Sequence, residues 1–80
     1  MRLPRDVTGT ELVKALRVLG YLESRQSGSH IRVSTDEKGN HHVTIPKHNP
    51  LKLGTMKSIL DDVAEHHGIN RTELLRLLRL

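Results

Sequence analysis

Residues 29–46 read Ser29-His30-Ile31-Arg32-Val33-Ser34-Thr35-Asp36-Glu37-Lys38-Gly39-Asn40-His41-His42-Val43-Thr44-Ile45-Pro46, and they decide the fold. Ile31 and Val33 alternate with His30, Arg32 and Ser34; Val43 and Ile45 alternate with His42 and Thr44. A period of two marks half-buried strands, here over 29–35 and 41–46. Asp36-Glu37-Lys38-Gly39-Asn40 is a polar hairpin loop between them. Pairing Val33 with Val43 and Ile31 with Ile45 puts all four on one buried face, because a slip of one residue would turn them outward. Arg32 then opposes Thr44, and His30 opposes Pro46. This parity places His30 on the open face, at the start of the Lys47-His48 segment.

Working outward, residues 21–26 read as a shorter strand, turned back at Ser27-Gly28. Upstream, Thr8-Gly9-Thr10-Glu11 is a capping box, in which Thr8 and Glu11 satisfy each other's free amides. Leu12, Leu16 and Leu19 follow at helical spacing until Gly20 stops a helix over about 9–19. Downstream, 47–53 is a loop, stiffened by Pro46 and Pro50. Thr55 is expected to cap a second helix with Met56, Ile59, Leu60 and Val63 inside and Asp61, Asp62 and Glu65 outside; Gly68 stops it. Asn70, three residues before Glu73, can cap a last helix over about 70–80, rich in leucine. The order is helix, three antiparallel strands, helix and a short C-terminal helix: an α+β arrangement with the helices on one face of the sheet. It matches the topology of the double-stranded-RNA-binding domain. The length of 80 residues fits one domain, 1–80, with its core at about 8–68, and leaves room for chemistry only on a surface or a shallow groove.

Composition narrows the function. There is no cysteine, so disulfides, thiolate catalysis and Cys-based zinc sites are excluded. No apolar run approaches a membrane span of about 20 residues. The opening Met1-Arg2-Leu3-Pro4-Arg5-Asp6 lacks the apolar stretch of an export signal, so a cytoplasmic protein is expected. The net charge is +4, concentrated in residues 1–57, which hold ten Lys or Arg against five Asp or Glu. A basic front half suits a polyanion, whose phosphates gain from Lys and Arg contacts. With one Tyr and no Phe or Trp, the chain cannot stack bases on aromatic platforms. Charge, shape and backbone contacts must carry any RNA binding.

Six histidines, at 30, 41, 42, 48, 66 and 67, raise the question of a metal. His41 and His42 point to opposite faces of a strand. His66 and His67 sit at a helix end, where an imidazolium suits the dipole. Neither pair chelates, so no metal or other cofactor is expected. Asp61, Asp62 and Glu65 are a solvated helix face rather than a converging two-metal site. His30 is set apart by its place after a turn, on the open face, within reach of Arg25, Arg32, Lys47 and His48. Neighbouring cations disfavour a charged imidazole and keep a neutral base available near pH 7. Such a base can take the proton of a ribose 2′-hydroxyl while the cations hold the phosphate.

The sequence also resembles a known family. Thr10-Glu11-Leu12-Val13-Lys14-Ala15-Leu16-Arg17-Val18-Leu19-Gly20-Tyr21, Arg25-Gln26-Ser27-Gly28-Ser29-His30, Val43-Thr44-Ile45-Pro46-Lys47-His48 and Gly54-Thr55-Met56-Lys57-Ser58-Ile59-Leu60 resemble, in order, four motifs of HicA toxins. The resemblance covers about residues 8–75, with Met56 where leucine is usual. It implies a metal-independent mRNA interferase with His30 as its catalytic histidine, neutralised by a HicB-type antitoxin that covers His30. Arg25, Ser29, Arg32, Lys47, Lys52 and Lys57 are the expected RNA contacts, and His48 is the candidate for a second proton transfer. The substrate class is mRNA; no membrane and no DNA contact by the chain alone are expected. Two other readings stand beside the enzyme: a non-catalytic RNA-binding module of this fold, and a pure protein-docking domain.

Overall fold

A computed structural model describes residues 3–80. Met1 and Arg2, which begin the opening read above for an export signal, lie outside them. The elements are α1 (Gly9–Ala15), a 3₁₀ turn (Leu16–Leu19), β1 (Leu22–Ser27), β2 (His30–Thr35), β3 (His41–Pro46), α2 (Leu53–His67) and α3 (Arg71–Leu78). The fold is the expected α+β arrangement: a three-stranded antiparallel sheet in the order β1-β2-β3, with helices packed against one face. No helix among the described residues is long and apolar enough to cross a membrane.

The register derived from alternation is the one observed. His30 pairs with Pro46, Ile31 with Ile45, Arg32 with Thr44 and Val33 with Val43. Ile31, Val33, Val43 and Ile45 are buried, together with Leu12, Val13 and Leu16 from the first helix and Met56, Ile59, Leu60 and Val63 from α2. The capping box forms in full: the Thr8 amide donates to Glu11 Oε1 at 2.9 Å, and the Glu11 amide donates to Thr8 Oγ1 at 3.0 Å. Asn70 caps α3 by accepting the Glu73 amide at 2.8 Å. Leu74, Leu75 and Leu78 are buried, so most of the leucine-rich tail belongs to the core.

Three local expectations shift. The first helix tightens into a 3₁₀ turn from Leu16 before Gly20, at φ +83°, ends it. The second helix starts at Leu53 with Lys52 in the N-cap position, so Thr55 lies inside the first turn rather than capping it. The reason is tertiary: buried Leu51 is tied by its amide to the Val7 carbonyl at 2.8 Å, and the helix begins directly beyond that anchor. β1 starts at Leu22, and all six of its residues are exposed. The helices cover β2 and β3, while β1 projects as an edge with both faces open. Leu22 is 63 % exposed there.

A second set of contacts fixes the end of β3. The Gly9 amide donates to the His48 carbonyl at 2.9 Å, and the Lys47 amide donates to the Ser29 carbonyl at 2.7 Å. The start of α1, the β1–β2 turn and the segment after β3 are thereby held together by backbone. Gly9 permits this approach, because a Cβ at that position would lie 2.0 Å from the Pro46 carbonyl oxygen.

Candidate functional site: a basic groove on the open sheet face

His30 opens β2, directly after a tight turn in which Gly28 adopts a left-handed φ of +57°. Ser27 and His30 are cross-strand partners. His30 is exposed, on the face opposite the helices, as parity requires. It lines a shallow groove of about 350 Å³ with Arg25, Ser27, Arg32 and Thr44.

Arg25 reaches this face through an irregularity. The β1–β2 register shifts between Glu23 and Arg25, leaving Ser24 as the extra residue of a bulge. Beyond it, Arg25 pairs directly with Arg32. Like charges opposite one another across two strands are unfavourable, yet among the described residues no carboxylate lines the groove to offset them. Arg32 is half-buried, and its Nε is a buried donor without a hydrogen-bond partner. A buried donor left unmade is costly. Two guanidinium groups and an imidazole thus face one concavity with no counter-charge, an arrangement suited to a bound anion.

The other expected site residues do not line this groove. Ser29 sits in the turn, and its carbonyl is engaged by the Lys47 amide. Lys47 and His48 are exposed in the loop that leaves β3, and neither lines the groove. Lys52 lines a neighbouring concavity with Gly54, Thr55, Ser58 and Ile59; Thr44 borders both. Lys57 is paired with Asp61 at 3.2 Å. Sequence reasoning missed Ser27 and Thr44 as groove residues. Their signals were present: Thr44 opposes Arg32 in the derived register, and a two-residue turn places Ser27 opposite His30.

The acidic run of α2 is mostly engaged. Arg71 holds Asp61 through two nitrogens, at 2.9 and 3.2 Å, and with Lys57 it keeps the Asp61 carboxyl below the usual carboxylate range. Asp62 meets His41 at 3.2 Å. Among the described residues, no three His, Cys, Asp or Glu side chains are disposed to hold a metal ion. At the far end of α2, His67 is buried, and the loss of solvent with His66 beside it pushes its imidazole below the ordinary range. The expected gain from the helix dipole does not prevail there.

No curated protein and no solved structure matches the chain. A family model described as the HicA toxin of bacterial toxin–antitoxin systems matches residues 9–64, from the first residue of α1 into α2, a span that includes the whole sheet and its groove. With that match over more than half its length, the chain belongs to the HicA toxin family.

Proposed function

We propose that this toxin is an endoribonuclease that cleaves messenger RNA in the cytoplasm with His30 as its catalytic residue. The observation that carries the reading is the uncompensated Arg25–Arg32 pair beside exposed His30, in a groove with no carboxylate. Arg25 and Arg32, which line the groove beside His30, hold the scissile phosphate through their guanidinium groups. His30 takes the proton from the ribose 2′-hydroxyl. The 2′-oxygen attacks phosphorus, the P–O5′ bond breaks, and a 2′,3′-cyclic phosphate remains on the upstream fragment. The leaving 5′-oxygen receives a proton from His48, a lysine or water. Lys47, Lys52 and Lys57 contact the flanking backbone, and Ser29 lies at the rim. No step calls on a metal or a cofactor.

The toxin family implies an antitoxin. A groove this shallow has no internal lid, so silencing it requires an external cover. A HicB-type antitoxin fulfils that role by burying His30 beneath an acidic or apolar face. The alternative of a binding module that grips RNA without cutting it is separated by one variant. Cells expressing the wild-type chain stop growing, and cells expressing His30→Ala grow; arrest by a folded His30→Ala protein would remove His30 from the catalytic role.

A further inference from the structure

At the end of the sheet remote from His30, four ring side chains converge from distant parts of the chain. Thr35 and His41 close the β2–β3 ladder there, whereas His30 and Pro46 close the other end. Tyr21 is fully buried. Its hydroxyl lies 2.7 Å from His41 Nδ1 and 3.1 Å from His67 Nε2. His41 Nε2 faces Asp62 Oδ1 at 3.2 Å. His66 stacks on His41 with ring centres 4.3 Å apart and planes within 10°. Its Nε2 lies 2.9 Å from the Glu37 carbonyl and 3.1 Å from that of Gly39.

The proton positions follow from which atoms can only accept. Carbonyls accept, so His66 carries its hydrogen on Nε2. The Asp62 carboxylate accepts, so His41 carries a hydrogen on Nε2 in either charge state. When His41 is neutral, its Nδ1 is bare and accepts the Tyr21 hydroxyl. The phenolic oxygen must then accept from His67 Nε2–H. When His41 is charged, Nδ1–H donates to the phenolic oxygen instead. The tyrosine proton then turns toward His67 Nε2, which must be bare, so the His67 hydrogen moves to Nδ1. Both arrangements use every hydrogen bond. Charging both rings leaves the single hydroxyl proton without an acceptor in a buried site, at the full cost of an unmade bond.

We infer that Tyr21 couples His41 and His67 in a reversible proton relay: the cluster takes up one proton on His41, the tautomer of His67 switches in response, and the two rings are never charged together. Burial and the Asp62 carboxylate set where that proton goes, against Glu37, which favours charge on His67. Asp62, from α2, favours it on His41. His67 is buried and lies near His66 and Lys38, which oppose its charge, with Glu37 opposing them. The relay joins Tyr21, β3, the β2–β3 loop and the end of α2. It therefore lets one proton enter the fold without breaking a tertiary hydrogen bond, and it resists a second.

Nitrogen NMR of the imidazoles in the 80-residue chain, titrated from pH 8.5 to pH 5, tests this. Each ring nitrogen reports directly whether it is protonated. The expected result is two pairings only: neutral His41 with His67 protonated at Nε2, and charged His41 with His67 protonated at Nδ1. The pyrrole-type and pyridine-type resonances of His67 exchange places as His41 titrates. Charged His41 coexisting with a protonated His67 Nε2, at any pH where the protein is folded, overturns the relay. In Tyr21→Phe the coupling disappears, and His67 keeps one tautomer while His41 titrates; the wild-type titration decides the matter alone should that variant fail to fold.

Discussion

Replacing Gly9 with alanine sets two physical effects against each other. Helix propensity favours the change by up to about 1 kcal/mol. The packing opposes it. A Cβ at position 9 would lie 2.0 Å from the Pro46 carbonyl oxygen, 3.0 Å from the Pro46 carbonyl carbon and 3.1 Å from Lys47 Cα. All three are backbone atoms, so no rotamer change relieves the clash. The start of α1 must retreat by more than 1 Å to reach the 3.4 Å of ordinary contact. That retreat also stretches the Gly9 amide bond to the His48 carbonyl, now 2.9 Å. Overpacking costs about 1–3 kcal/mol, and the hydrogen bond adds about 1 kcal/mol. The net loss is about 1–3 kcal/mol after the propensity gain. For a chain this short, each kcal/mol moves Tm by about 4–8 °C, so Tm should fall by roughly 5–20 °C. Thermal unfolding followed by circular dichroism, with urea unfolding as a second measure, checks this. An unchanged or higher Tm would refute the argument that close backbone approach, rather than local helix preference, selects glycine here.

Three further outcomes are expected. Thr8→Ala removes one half of the capping box and should cost about 1 kcal/mol in urea unfolding. His67 should make stability pH-dependent: its imidazole is held below the usual 6.5 in the folded state, chiefly by burial, so the folded protein binds fewer protons than the unfolded chain. Its contribution is complete above pH 6.5 and is lost as pH falls through the lowered value; the urea midpoint should drop between pH 7.5 and pH 5, less steeply in His67→Gln. Arg25→Ser should raise stability by about 0.2–1 kcal/mol by removing a cross-strand like-charge pair, yet weaken RNA binding and flatten its salt dependence; a loss of both stability and binding would show that Arg25 is structural.

The sheet was readable where burial imposed alternation. Ile31, Val33, Val43 and Ile45 had one arrangement that hid all four, and that arrangement carried His30, Arg32 and Thr44 to the open face. β1 offered no such guide, because neither of its faces is covered and its residues do not alternate. The bulge at Ser24 was invisible for the same reason, although it is what sets Glu23 opposite Val33 and Arg25 opposite Arg32. The cap of α2 went wrong because a tertiary anchor at Leu51, not the local preference of Thr55, sets where that helix starts. The ring cluster was the least legible feature. Tyr21, His41 and the His66-His67 pair are separated by many residues, and only the folded chain makes them neighbours. Taken singly, His41 and His67 looked like a strand residue and a helix-end residue.

The groove itself was half legible. Its histidine and one arginine followed from parity, whereas the lack of a carboxylate among the described lining residues is a property of the assembled surface. That absence distinguishes the open face from α2, where Asp61 is matched by Arg71 and Lys57. Arg76 and Glu73 are likewise matched to each other on α3. Among the described residues the Lys and Arg ion pairs lie on α2 and α3, and neither Arg25 nor Arg32 takes part in one.

Cleavage of a purified RNA transcript by wild-type and His30→Ala protein, without added metal, tests the central claim most directly. Wild-type protein should cut, leaving 2′,3′-cyclic phosphate ends, while His30→Ala, folded to the same Tm, should leave the transcript intact. Cleavage by folded His30→Ala at the wild-type rate would contradict the assignment of the chemistry to this histidine.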